Sequence, residues 1–344
     1  MGWLVYNWHS NWHRYKPATL PNKISRENKL PPLLSRSQLL PMTNSPAVRP
    51  DFYCCEYSEQ AGEQLFGTAT RVNVWLALEY TRPWNSDAFA SSDIPEHIKK
   101  VLDGHLAAIP QSRLQLIRQP ARAAAGIMFF VAVSREVNPV LYKFQLDSYD
   151  DLLALDIPKI ASGDPAYAQY LSPDPLFLVC ANGKKDISCA KYGRPVYDAM
   201  SQAVGEGVWQ CTHLGGHRFA GTSVFLPYGL CYGRIKAGDV AALLTDFQQQ
   251  QIALDHYRGL SYYDEPVQAA DYYLRRQTGN RTLAAFRLVS MRQDGERWSI
   301  QWQASQDGQR YEIQIRQALS PFEIYKNSAE RETTRVPQYH LLAP

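Results

Sequence analysis

The longest continuous apolar stretch in the chain runs from Ala123 to Val133, and its eleven residues limit the fold more than any other feature. A helix crossing a bilayer needs about 20 apolar residues, so this stretch is too short for one. Its core, Gly126–Val133, reads as a central strand buried on both faces. A second apolar run, Pro175–Cys180, reads the same way. Helical patterns follow both, which points to an α/β protein. With 344 residues, 45% hydrophobic and 20% charged, the chain can bury a sizeable core and is not wholly disordered. Its net charge of +3 is too mild to suggest a nucleic-acid or membrane partner. Six cysteines are too sparse for a disulfide-stapled secreted scaffold, and the start lacks an apolar secretory core. The expected compartment is the cytoplasm, with reduced thiols.

Residues 51–165 read as a first α/β unit. Val72, Val74, Leu76 and Leu78 share one face of a strand within Arg71–Tyr80. Asp93–Leu106 is expected as a helix capped by Ser92 or Asp93, with Pro95 in its first turn. Strands at Arg113–Arg118, Gly126–Val133 and Val140–Leu146 follow, then a short helix at Ser148–Leu155. Residues 166–260 repeat this outline. The strand Pro175–Cys180 leads to a helix at Tyr192–Val204, where Pro195 fits only the first turn. A strand at Val208–Thr212, a hairpin of Ser223–Leu226 and Leu230–Ile235, and a helix at Asp239–Gln251 complete the unit. The order β-α-β-β-β-α is the outline of a thioredoxin-like unit. The expected fold is therefore α/β: two thioredoxin-like units, the second carrying the site, plus a small C-terminal β-meander.

That C-terminal part, 261–344, begins with a helix at Pro266–Gln277. Strands at Ala285–Arg292, Trp298–Ala304 and Tyr311–Arg316 turn at Asp294–Gly295 and Asp307–Gly308. The last 25 residues show no period. Residues 1–50, basic and proline-rich with no sustained period, read as a disordered or non-native extension. Residues 1–41 carry +5, and Met42 is the favoured natural start, with a transit peptide as the other reading.

Two pairs of soft or borderline ligands stand close together in the second unit. Eight residues separate Cys180 from Cys189, and three separate His213 from His217. Each pair begins at or just beyond a strand end, where sites form in open α/β sheets. Gly215–Gly216 between the histidines allows a backbone that other residues resist. Two cysteines and two histidines suit a structural zinc site, although eight residues between cysteines is wide for one. They also suit a [2Fe–2S] cluster in which two histidines replace two cysteines on one iron.

The segments Cys180-Ala-Asn-Gly-Lys-Lys-Asp-Ile-Ser-Cys189-Ala-Lys-Tyr-Gly193 and Trp209-Gln-Cys-Thr-His213-Leu-Gly-Gly-His217-Arg-Phe-Ala220 resemble the sucrase/ferredoxin-like family. Its pattern is Cys-x8-Cys followed by His-x-Gly-Gly-His-[Arg/Lys]-Phe-Ala. The resemblance covers about residues 51–280. Many bacterial relatives have Cys-Cys where this chain has Ser188–Cys189. The resemblance implies a thioredoxin-like ferredoxin whose [2Fe–2S] cluster is held by Cys180 and Cys189 on one iron and His213 and His217 on the other. Gly215, Gly216 and Arg218 would line the cluster. Neutral imidazoles would raise the potential above that of an all-cysteine cluster and make it fall with pH.

The expected function is thus electron transfer, without catalysis, to and from a reductase or terminal oxidoreductase. A zinc-stabilised interaction module and a redox or iron sensor on the same four residues are the alternatives. Cys211 is a further soft ligand on the same strand face, or core; Cys54, Cys55 and Cys231 are expected to be structural. Lys184, Lys185 and Arg218 suggest docking or electrostatic tuning, unless Asp186 pairs with one of them. Trp209 is expected in the core.

Overall fold

The structure is a computed structural model that describes residues 52–120, 122–123, 125–330 and 332–342. The expected extension 1–50, with the start at Met42, lies outside the described residues. In chain order the first half holds α1 (Cys54–Gln60), β1 (Val74–Glu79), α2 (Glu96–Ala108), β2 (Ser112–Arg118), β3 (Ile127–Val133), β4 (Val140–Leu146) and α3 (Ile157–Ser162). The second holds β5 (Leu176–Cys180), α4 (Ile187–Val204), β6 (Val208–Cys211), β7 (Ser223–Leu226), β8 (Leu230–Tyr232), α5 (Val240–Gln248) and β9 (Tyr257–Leu260). Helix α6 (Glu265–Thr278) leads to β10 (Phe286–Asp294), β11 (Arg297–Ala304) and β12 (Arg310–Leu319). The short strands β13 (Ile324–Tyr325) and β14 (Thr333–Thr334) precede β15 (Pro337–Leu341).

Nine strands form one mixed sheet in the order β4-β3-β1-β2-β6-β5-β7-β8-β9. Each half has the same local plan. β1 runs parallel to β2 and antiparallel to β3, as β5 does to β6 and β7. The halves join where β2 pairs antiparallel with β6, Ile117 opposite Cys211 and Arg118 opposite Gln210. Residues 51–165 and 166–260 are therefore halves of one continuous sheet. The antiparallel seam puts the carboxyl ends of β5 and β6 on the edge that holds the amino end of β2. A residue at the start of β2 can thus support a loop that leaves β6.

The seam is buried because both halves contribute to one apolar cluster. Trp75, Ala77 and Phe130 come from the first half, and Leu178, Cys180, Trp209 and Cys211 from the second. The opposite face of the first half packs Leu76, Leu78 and Phe129 under Ile98 and Leu102 of α2 and Ile157 and Ile160 of α3. Strand β1 is buried at all six positions, as a central strand must be. The four-stranded sheet β10-β11-β12-β15 is separate, and α6 packs against both β9 and β12.

Several elements differ from expectation. Helix α4 begins at Ile187, five residues before Tyr192, because the Asp186 side chain accepts from the Ser188 N–H and caps it. Pro195 consequently lies inside the helix, and its missing N–H leaves the Lys191 carbonyl without its i+4 donor. Helix α2 begins at Glu96 with Pro95 as N-cap and no side-chain cap, so neither Ser92 nor Asp93 caps it. The expected helix at Ser148–Leu155 is a 3-10 turn. Strand β15 adds a fourth strand to the expected three-stranded meander, and α1 and β9 were not expected. No helix among the described residues is long and apolar enough to cross a membrane.

Candidate metal centre

Three of the four predicted ligands, Cys180, Cys189 and His213, come together at the carboxyl ends of β5 and β6, and His217 lies beside them in a second donor group. Cys180 is the last residue of β5, and Cys189 lies in the first turn of α4, where the Asp186 cap sets the helix start. His213 follows β6, and His217 opens a short 3-10 turn. The Cys189 Sγ is 3.6 Å and the Cys180 Sγ 3.9 Å from His213 Nδ1. Metal–sulfur bonds of about 2.3 Å and metal–nitrogen bonds of about 2.0 Å place tetrahedral ligand atoms about 3.6 Å apart, so these separations suit a metal. The three ligand atoms all lie within 4.8 Å of one another and can hold a metal ion. The His217 ring centroid is 5.5 Å from that of His213.

The His loop is held from outside by two arginines. Arg113, at the start of β2, donates to the carbonyls of His213 (2.6 Å) and Leu214 (3.1 Å). Arg258, buried in β9, donates to the carbonyl of Gly215 at 3.0 Å. Gly215 and Gly216 adopt φ of +94° and +74°. A Cβ on Gly215 would meet Thr70 Oγ1 at 2.6 Å, and one on Gly216 would meet the Arg258 guanidinium at 2.5 Å. Both glycines are required by backbone sign and by space.

The two thiols of the centre shift in opposite directions. The Cys180 thiol is pulled well below its ordinary range by a hydrogen bond from Cys189, despite burial, with help from His213 and the Leu214 N–H. Cys189 moves up, through that shared hydrogen bond and burial, so the two sulfurs share one proton. Burial depresses the His217 imidazole, against the pull of Asp186, and so favours the neutral ligand form.

A second donor group adjoins the first. Cys54 Sγ is 3.2 Å from His217 Nδ1 and 3.8 Å from Asp186 Oδ2, and Asp186 Oδ2 is 3.6 Å from His217 Nδ1. Cys54, Asp186 and His217 can likewise hold a metal ion. Asp186 is already occupied: it accepts from the Ser188 and Ser328 N–H groups and from the Ser328 hydroxyl. Cys54 is the residue the sequence reading missed. It lies 163 positions before His217, and nothing in its local pattern marks it as a donor. Asp186 pairs with His217 rather than with Lys184 or Lys185, which are exposed.

The other candidates fall elsewhere. Arg218 is paired with Glu63, its Nε and Nη2 donating over 2.8 to 3.1 Å. Cys211 faces Cys180 across the β5–β6 register, and burial raises its thiol far above the ordinary range. It belongs to neither donor group among the described residues. Cys231 and Cys55 are buried and outside both groups, and Trp209 lies in the core.

The fold and site define an α/β protein with a buried cysteine–histidine donor centre at one sheet edge. Residues 65–259, more than half of the chain, match the sucrase/ferredoxin-like family, and the chain belongs to that family. It is also 34% identical over 99 residues to altered inheritance of mitochondria protein 32 of Meyerozyma guilliermondii. That match covers 25% of this chain and 34% of the relative, so the chain spans about a third of that protein's length. No solved structure matches.

Proposed function

We propose that the protein is a ferredoxin-like electron carrier with one [2Fe–2S] cluster at this centre. The donor set carries the reading: two thiols and an imidazole gather at one sheet edge, with the His217 ring 5.5 Å from that of His213. Two buried thiols and two half-buried imidazoles are donor types such a cluster takes, and the residue types fit it. Cys180 and Cys189 would hold one iron, and His213 and His217 the other. The cluster, when bound, supplies one-electron redox chemistry; the chain supplies ligation, burial and hydrogen bonding.

The chain's own contributions are specific. The Leu214 N–H steadies the Cys180 sulfur, and the two arginines hold the loop that carries both histidines. The strand order within each half, parallel pair first and antiparallel pair outside it, supports reading the chain as two thioredoxin-like units. The cytoplasm is the proposed compartment, and all six cysteines are free thiols, as a reducing environment would keep them. The proposed partner is a reductase or terminal oxidoreductase. Exposed Lys184, Lys185 and Ile187, close in sequence to Cys189, offer it a docking surface.

The test is a visible spectrum of anaerobically purified protein, then EPR after dithionite reduction, on the wild type and His213→Cys. A brown protein with a rhombic signal that His213→Cys shifts is expected. A colourless protein with stoichiometric zinc would overturn the carrier reading. A potential independent of pH between about 6 and about 10 would count against two histidine ligands.

A further inference from the structure

Cys54 stands where a ligand would stand. Cys54 is fully buried, and its sulfur is 3.2 Å from His217 Nδ1. Three of the chain's sulfurs therefore border the two histidines, not two. The thiol's other side-chain neighbours are hydroxyls and a carboxylate: Ser328, Ser188 Oγ at 3.7 Å and Asp186 Oδ2 at 3.8 Å. Asp186, the third member of that group, accepts three hydrogen bonds that cap α4 and bind Ser328, which suits it to orienting rather than ligating.

Helix α1 is fixed in place by contacts that do not involve the centre. The Cys54 N–H donates to Ser328 Oγ, and Ser58 Oγ donates to Glu63, which in turn receives Arg218. Position 54 is thus delivered to the centre by rigid packing on both sides. A thiol held that close to an imidazole is a donor in its own right.

From this geometry we propose that Cys54 is a fifth donor of the centre, whose thiolate takes the outer metal position in place of His217. The inference rests on the proposed cluster. In the exchange one metal–nitrogen bond breaks and one metal–sulfur bond forms, with no change in electron count. The thiol proton is released to solvent as the metal–sulfur bond forms, since only the thiolate ligates. The centre would then carry three thiolates and one imidazole.

The test compares wild type, His217→Ala, Cys54→Ser and the double variant, each reconstituted with ferrous iron and sulfide. Iron and sulfide per chain, EPR, and nitrogen couplings from pulsed EPR are read. His217→Ala is expected to keep at least half of the wild-type cluster, with one coupled nitrogen and a signal shifted from wild type. Cys54→Ser is expected to keep a wild-type signal, and the double variant to lose at least tenfold in iron and sulfide. Circular dichroism checks folding, and Cys54→Ala with His217→Ala replaces the double variant if that is unfolded. Loss of the cluster from His217→Ala alone, or its retention in the double variant, overturns the role of Cys54 and leaves the carrier reading standing. A wild type that takes up no cluster overturns both.

Discussion

Gly193 is the point at which one methyl group should disturb both the fold and the centre. It is buried in α4, and an added Cβ would lie 1.9 Å from the carbonyl oxygen of Cys180. Real Cβ atoms do not approach closer than 3.0 Å, and the obstacle is backbone that cannot rotate aside. Helix α4 would have to retreat from β5 by about 1 Å, which is the scale at which positioned ligands fail. Alanine is favoured over glycine in a helix interior by about 1 kcal/mol. Overpacking costs about 1–3 kcal/mol, and a backbone clash belongs at the upper end. The net loss for Gly193→Ala is then about 1–2 kcal/mol, or a fall in Tm of about 1.5–3 °C for a protein of this size. Because the displaced helix carries Cys189 and the strand carries Cys180, bound metal should fall as well. Gly104 in α2 is the matched control, since its Cβ would meet nothing within 4 Å. Gly104→Ala should gain about 0.5–1 kcal/mol. Thermal unfolding of both variants, with metal analysis, is the assay. A Tm for Gly193→Ala equal to or above wild type would refute the claim that α4 and β5 are in rigid backbone contact.

Three further outcomes are expected. Replacing Arg258 or Arg113 with Met orphans buried carbonyls at about 1–3 kcal/mol each, and metal analysis should show at least half of the bound metal lost. Removing a purely surface arginine would leave both measurements unchanged. Burial raises the Asp186 carboxyl, but hydrogen bonds from Ser328 and Ser188 and the nearby His217 outweigh it, so the net shift is downward. The ionised form therefore contributes stability in full above the ordinary carboxylate pKa of about 4, and this is lost as pH falls through the lowered folded value. The Tm difference between wild type and Asp186→Asn should shrink as pH is lowered from 6 to about 3, and a constant gap would contradict the assignment. In α6, Arg275 and Asp271 are paired at 2.9 Å with side chains only 1% exposed. Tyr257 also donates to Asp271 at 2.6 Å. Arg275→Met leaves a buried carboxylate without its cation and should cost about 3–5 kcal/mol in urea unfolding, with Asp271→Ala added at much less than the sum.

Local pattern was enough wherever an element's burial repeats its own sequence. Strand β4 was read residue for residue as Val140–Leu146, because Leu141, Phe144 and Leu146 turn to the core while Lys143 and Gln145 do not. The hairpin β7–β8 and helix α6 were legible for similar reasons, the hairpin from the turn at Pro227–Gly229 and α6 from Pro266 in its first turn. Helix α4 was read late because Asp186 looked like one of several loop charges; only its bond to the Ser188 N–H makes it a cap. Strand β15 carries no alternating signal of its own. Gln338 and Tyr339 are buried because β12 lies beside them.

The centre divides along the same line. Cys180, Cys189, His213 and His217 were identifiable because short-range chain geometry ties each pair together, and strand ends put both pairs at one edge. Arg113 and Arg258 were invisible, because their partners are carbonyls about 100 and 43 residues away, reached only through the β2–β6 seam and β9. The nearness of Cys54 to His217 is hidden in the sequence for the same reason. Sequence alone determined the candidate donor types, their spacing and the loops that hold them. Which further groups surround those ligands was decided by tertiary packing, since a contact between distant residues depends on how whole elements dock and leaves no trace in either local pattern.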